Sequence, residues 1–84
     1  MKTMKTRYTI YYKKYSFITN GCVSYIKIVY TDDIYHDIGS LVCRSLGKII
    51  DIHFAEPTAS VEDCERFWRE SGYEKVNDLL WKKF

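Results

Sequence analysis

The sequence predicts a small α+β domain in which one antiparallel sheet packs against two or three helices. Three observations lead to this fold class. The amino-terminal third is rich in Tyr, Ile and Val around an Asn-Gly pair, apolar residues after Asp32 recur at helical spacing, and 84 residues suffice for one domain with one core. The expected order is β-β-α-β-α followed by a β or α tail, with the helices on one face of the sheet.

Residues 7–18 and 22–30 are predicted to form a β-hairpin closed by Asn20-Gly21, a pair that favours the positive φ angles of a two-residue turn. With that loop, opposed positions sum to 41, and Lys14 lies opposite Lys27. Like charges opposed across a ladder destabilise it unless they reach solvent, so the face that carries these lysines is expected to be open. A slip or bulge near Lys13-Lys14 would exchange the faces over part of the hairpin.

The hairpin therefore has a predicted core face and a predicted open face. The core face carries Tyr11, Tyr15, Phe17, Cys22, Ile26, Ile28 and Tyr30, with Lys13 as the one misfit. The open face carries Tyr8, Ile10, Tyr12, Lys14, Ile18, Val23, Tyr25, Lys27 and Val29.

The remaining elements follow from local signals. Asp32 and Asp33 are candidate N-caps of a first helix that ends before Gly47. Residues 48–54 alternate as a third strand, and residues 56–59 interrupt it. Ser60, followed by acidic residues, predicts the start of a second helix that Gly72 ends. Residues 73–76 favour a short strand that leads to a last strand over residues 79–84, and the alternative is a helix over residues 74–84.

Bulk properties bound the cellular setting. We expect one domain over residues 1–84, with residues 1–6 as a flexible basic arm. No apolar run is long enough to span a membrane, and the basic start is not followed by the apolar stretch of a signal peptide. Three cysteines without a Cys-x-x-Cys spacing favour a reducing, cytoplasmic location. All three are predicted to lie on apolar faces as small hydrophobic residues.

Charge is unevenly distributed along the chain. The first 31 residues hold six basic side chains, six tyrosines and no Asp or Glu, whereas all 11 acidic residues lie after them. Such a segment attracts phosphates or an acidic protein surface. The predicted binding residues are Arg7, Tyr8, Tyr12, Lys14, Tyr25 and Lys27. The same residues would also suit a soluble sheet without a binding role, because Tyr has high strand propensity and Lys protects edges.

Other site chemistry finds little support in the residue pattern. His36 and His53 lack cysteine neighbours at zinc-ligand spacing, and no glycine-rich phosphate loop is present. His53 beside Asp51 on one strand face is a candidate acid–base pair that an exposed polar face explains equally well. We expect no bound cofactor and no metal.

One segment resembles a known family. Residues 64–76, Cys-Glu-Arg-Phe-Trp-Arg-Glu-Ser-Gly-Tyr-Glu-Lys-Val, resemble the helix-to-strand junction near the carboxyl terminus of acyl-coenzyme A-dependent acetyltransferases. The resemblance implies that the segment flanks an acyl-coenzyme A cleft. The chain departs from that family at residues 36–41, where Asp37 would repel a pyrophosphate, so no functional residues are carried over.

These observations favour a small non-enzymatic intracellular binding protein of the inhibitor or adaptor type. A nucleic acid is the expected partner, and an acidic protein surface is the alternative. A degenerate acetyltransferase-like protein is a third hypothesis. Homodimers are compatible with the size, and the richness in Lys, Tyr, Ile and Asp would fit a phage or mobile-element origin.

Overall fold

The computed structural model describes residues 5–18, 20–46 and 48–84. Its elements are β1 (Thr6–Ser16), β2 (Gly21–Thr31), α1 (Ile34–Arg44), β3 (Ile49–Ala55), α2 (Val61–Glu70), β4 (Glu74–Asn77) and β5 (Leu80–Lys83). The five strands form one antiparallel sheet in the order β3-β1-β2-β5-β4. The predicted α+β fold class is confirmed. Of the predicted basic arm, residues 1–4 lie outside the described residues, and Thr6 already belongs to β1.

The β1–β2 hairpin has a longer connection than predicted. Ser16 pairs with Gly21, so four residues, 17–20, connect the strands, and Asn20 adopts a φ of 52° in that loop. The connection is therefore two residues longer than the predicted Asn20-Gly21 turn, beginning three residues earlier and ending one residue earlier. In the observed register Lys14 lies opposite Val23 and Lys27 lies opposite Ile10. The lysine–lysine opposition that marked one face as open does not occur.

Helix α1 covers the face that was expected to be open. Asp33 caps it by accepting a hydrogen bond from the backbone N–H of His36 at 3.2 Å. Ile34 and Leu41 then pack with Ile10 and Tyr12 of β1 in one buried cluster. Both faces of the hairpin are apolar enough to be covered, so the exposed-face prediction is wrong. The predicted end at Gly47 lies outside the described residues.

Helix α2 packs on the opposite face of the sheet. The Ser60 hydroxyl caps it by accepting from the backbone N–H of Asp63 at 3.2 Å. Its Trp68 joins Ile26, Ile28 and Trp81 in a second buried cluster. These two isoleucines alternate with the residues beneath α1 along β2, so the two helices lie on opposite faces. The expectation that both share one face is wrong.

The carboxyl-terminal residues form two strands. β5 pairs with β2 and brings Trp81, which is fully buried, opposite Ile26. β4 follows Gly72, whose φ of 95° closes α2, and forms one margin of the sheet beyond β5. The preferred strand near residues 73–76 is confirmed, and a strand takes the place of the alternative terminal helix.

The predicted core face is only partly buried. Ile26 and Ile28 are buried there, whereas Phe17 is 73% exposed and Tyr30 is 53% exposed. Phe17 lies in the turn, and β2 ends one residue after Tyr30, where α2 does not cover the sheet. Cys22 and Cys43 are exposed rather than buried on apolar faces as predicted, and Cys64 is half-buried.

Candidate functional site

The predicted binding residues divide between the core and the surface. Tyr12 is 8% exposed and belongs to the core beneath α1. Tyr8 is half-buried, with its ring 5.8 Å from that of Phe54 in an edge-to-face contact. Lys27 is also half-buried, and burial together with the nearby charge of Arg44 lowers its pKa. These three side chains therefore do not form the open surface that was predicted.

Arg7 has a structural contact at the other end of β1. Its side chain is half-buried, and its Nη2 donates a hydrogen bond to the backbone carbonyl of Ala59 at 2.6 Å. That contact joins the start of β1 to the segment immediately before α2. Arg7 also lies on the opposite face of β1 from Tyr8 and Tyr12, because side chains alternate along a strand.

Lys14 and Tyr25 meet at the far end of the hairpin, in an open pocket of about 240 Å³. We call it the tip pocket. It is lined by Lys14, Tyr15, Ser16, Phe17, Ile18, Tyr25 and Lys48. Of the six predicted binding residues, these two are the ones that the structure brings together here.

Aromatic contacts order the walls of the tip pocket. The half-buried Tyr25 ring stacks on the buried Tyr12 ring with a centroid separation of 5.0 Å, and this contact holds Tyr25 in place. Tyr15 packs edge-to-face on Phe17 at 5.0 Å, and its hydroxyl donates a hydrogen bond to the Asn20 Oδ1 at 3.0 Å. The turn residues are thus held against the strand that carries Lys14.

The tip pocket is positively charged. Lys48 precedes β3, and its ammonium lies 5.3 Å from the centroid of the Phe17 ring in a cation–π arrangement. Among the described residues that line the pocket, none carries a carboxylate. Within the described ranges, the ion pairs join Arg66 to Asp63 and Lys75 to Glu65 and Asp78, so Lys14 and Lys48 are both left for an external anion.

The tip also exposes apolar groups. Phe17 is 73% exposed and Ile18 is 97% exposed. Sequence reasoning placed Phe17 in the core and treated Lys48 only as the start of a strand. Both belong to the site because the turn is longer than predicted and because β3 returns beside β1. A backbone hydrogen bond from the Tyr15 N–H to the Lys48 carbonyl, 2.9 Å long, holds the start of β3 beside the end of β1.

A smaller pocket of about 120 Å³ lies on the face that carries α2. Its lining includes Tyr11, Lys13, Asp51, His53 and Tyr73. The imidazole of His53 stacks on the Tyr11 ring with a centroid separation of 5.1 Å and an angle of 15°. Burial raises the pKa of the Tyr11 hydroxyl.

Metal ligands do not cluster in the part of the chain that the structure describes, where no group of three or more His, Cys, Asp or Glu side chains could hold an ion. None of the described helices is both long and apolar enough to span a membrane.

No protein-family model matches this chain, and neither the curated proteins nor the solved structures contain a significant match to it. The likeness of residues 64–76 to acetyltransferases therefore remains an expectation based on those residues.

Proposed function

We propose that this protein is a small binding protein that binds single-stranded RNA or DNA through its tip pocket. The observation that carries the proposal is the pocket itself, where two lysines accompany the exposed ring of Phe17 and the half-buried rings of Tyr15 and Tyr25, and no described lining residue is acidic. Single-strand-binding sites combine positive charge along the backbone path with ring faces for the bases. The proposal retains Lys14 and Tyr25 from the sequence prediction and adds Phe17 and Lys48.

The geometry supports distinct roles for these side chains. The Lys14 and Lys48 ammonium groups would neutralise phosphates, which contributes a salt-dependent part of the affinity. Phe17 offers an exposed ring for stacking, worth about 1–3 kcal/mol per base. Tyr25, already stacked on Tyr12, would form the inner wall against which a base or sugar packs. No base-specific pattern is implied.

Fluorescence anisotropy with labelled single-stranded oligonucleotides of several sequences, titrated at a series of salt concentrations, tests the proposal. Lys14→Ala and Lys48→Ala should weaken binding equally for all sequences, and each should reduce the slope of log affinity against log salt by about 1. Lys5→Ala is the matched control, because Lys5 is exposed at the opposite end of the hairpin. An equal loss of affinity in the Lys5 variant would place the site elsewhere.

A protein partner with an acidic surface is the second candidate. The observation in its favour is Ile18, which is 97% exposed at the tip and offers no ring for stacking. Aliphatic side chains between lysines suit a partner that has a hydrophobic patch rimmed by carboxylates. In that case Ile18→Ser should abolish capture of a protein from a host extract after nuclease treatment. It should lower oligonucleotide affinity less than Lys14→Ala or Lys48→Ala does.

A further inference from the structure

Within the described ranges β3 is an edge strand, and its unpaired edge, which we call the free margin, is a second surface that could contact a partner. β3 pairs with β1, and no other strand among the described residues lies beyond it. The bond from the Tyr15 N–H to the Lys48 carbonyl shows that odd-numbered residues of β1 direct their backbone groups toward β3. Their partners Asp51 and His53 are therefore bonded to β1. By alternation, the N–H and C=O of Ile52 and Phe54 point outward and are available to another strand.

An exposed apolar ridge runs beside this margin. It consists of Tyr35, Val42, Leu46 and Ile50, which are 75%, 38%, 83% and 61% exposed. The first three are spaced by seven and four residues, so they lie along one side of α1 and the turn after it. Ile50 is the extra residue where the β1–β3 register shifts, which turns it out of the regular ladder.

The ridge lies on the β3 side of α1. The Tyr35 ring packs edge-to-face on the Phe54 ring of β3, with a centroid separation of 5.6 Å. On the other side of the helix, Asp37 and Arg44 act electrostatically on Lys27 of β2. The exposed apolar side chains and the free backbone groups therefore belong to one continuous margin of the molecule.

Leu46 adds an independent sign that this margin has a role. Its φ is 52°, in the left-handed region, where a branched side chain costs about 1 kcal/mol or more. Gly or Asn would adopt that angle with less strain. Because the Leu46 side chain is 83% exposed within the protomer, its burial contributes little stabilisation to offset the strain. A partner that covers the side chain would offset the strain.

We propose that a second copy of this chain docks on this margin, with the two β3 strands antiparallel around a two-fold axis at Ile52. In this register Asp51 of each copy lies opposite His53 of the other. These two residues exchange no backbone hydrogen bonds, so they form the type of pair whose Cα atoms and side chains are closer together. Centring the axis on Asp51 would place two carboxylates together, and centring it on His53 would pair the two imidazoles. Of these three registers, the one centred on Ile52 is favoured because it sets each carboxylate opposite an imidazole that can donate a hydrogen bond to it.

The arrangement has definite geometric consequences. An axis perpendicular to the sheet keeps both α1 helices on the same face, so the two ridges meet and bury each other. The sheets merge into one of ten strands, twice the observed five. Because the paired strands run in opposite directions, the two hairpin tips point away from each other. The tip pockets remain open, so the dimer does not depend on the proposed nucleic-acid function.

Sedimentation velocity over a wide range of protein concentration tests this dimer. The unmodified chain should shift from monomer to dimer mass as its concentration rises. Ile50→Lys should raise the dissociation constant at least about tenfold, because it places a charge in the interface. Val76→Lys is the matched control. Val76 is also exposed and also lies at the register shift of an edge strand, but that strand, β4, is at the opposite edge of the sheet. A monomer at every concentration would overturn the proposal, as would equal effects of the two variants.

Two further variants separate association from folding. Leu46→Asn should leave the monomer at least as stable to urea while it weakens the dimer, because it relieves the backbone strain and removes an apolar contact. His53→Lys should retain the dimer by facing Asp51 of the second copy, whereas His53→Asp should dissociate it. Both substitutions remove the contact with Tyr11, so equal behaviour of this pair would exclude the Ile52 register.

Discussion

At the scale of single residues, Lys27 shows the cost of covering a positively charged strand with a helix. Its side chain lies opposite Ile10 and is half-buried. Desolvation and the neighbouring Arg44 lower its pKa, while Asp37 acts in the opposite direction but with less effect. The ammonium is therefore less favourable in the folded chain than in the unfolded one, and it reduces stability at neutral pH.

We expect Lys27→Met to stabilise the fold at pH 7 by on the order of 0.5 kcal/mol, since it keeps the apolar stem and removes the charge. The unfolded chain binds more protons than the folded chain between the lowered pKa and the ordinary 10.5. The stability of the unmodified chain thus rises with pH in that window, and the advantage of Met disappears. Urea unfolding at pH 7 and pH 10.5 measures both effects. An advantage that grows with pH would contradict the assignment.

Trp81 gives a second prediction at this scale. It is 0% exposed, and its Nε1 is the one buried side-chain nitrogen or oxygen within the described ranges that lacks a hydrogen-bond partner. Trp81→Phe loses packing but also removes this unpaired donor, a group that costs about 1–3 kcal/mol. It should therefore destabilise the fold by about 1 kcal/mol less than Trp68→Phe. Trp68 is the other ring of the same edge-to-face pair, at 5.5 Å. Urea unfolding followed by the fluorescence of the remaining tryptophan measures the difference.

At the scale of elements, the hairpin shows why some features can be predicted and others cannot. The predicted sum of 41 and the observed sum of 37 differ by an even number, so the same residues share each face in both registers. The prediction of which face is covered depended on Lys14 lying opposite Lys27, and the observed register does not contain that pair. The periodicity of a strand shows which residues share a face, but it carries no information about which helix packs on each face.

The candidate site obeys the same logic. Lys14 and Tyr25 could be found because both lie within the acid-free segment and on one face of the hairpin. Lys48 could not, because it reaches the tip only through the pairing of β3 with β1, a contact between residues distant in sequence. The helix caps Asp33 and Ser60 were predictable because their signal is local.

Gly39 and Gly72 should respond oppositely to substitution by alanine. Gly39 lies inside α1, and an added methyl group would have no neighbour within 4 Å, so Gly39→Ala should stabilise the fold by about 1 kcal/mol. Gly72 has a φ of 95°, so Gly72→Ala should destabilise it by about 1 kcal/mol or more. Thermal unfolding at a protein concentration low enough to keep the chain monomeric measures both. Changes of the same sign would contradict the assigned roles.

At the scale of the whole molecule, charge is unevenly distributed between the two ends of the β1–β2 hairpin. Both helices begin at the end away from the tip, where most acidic residues lie, and end toward the tip. The acidic end carries Asp32, Asp33, Asp37, Glu56, Glu62, Asp63 and Asp78, together with the basic Lys5 and Arg7. The tip end carries Lys13, Lys14, Arg44, Lys48, Arg69, Lys82 and Lys83, together with the acidic Asp51, Glu70 and Glu74, so it keeps an excess of positive charge. This arrangement favours both helix dipoles, but it concentrates like charges at the tip.

The concentration of charge at the tip predicts a trade-off between stability and binding. Lys48→Gln should raise the melting temperature in low salt, because it relieves repulsion from the other tip lysines, and this gain should vanish in high salt. Lys5→Gln, an equal change near the acidic end, should give no such gain.

A single-stranded oligonucleotide at about 100 times its dissociation constant should stabilise the unmodified chain by about 2.7 kcal/mol. Differential scanning fluorimetry should then show a smaller ligand-induced shift for Lys48→Gln than for Lys5→Gln. The opposite order of the ligand-induced shifts would mean that the charged tip is not the binding site.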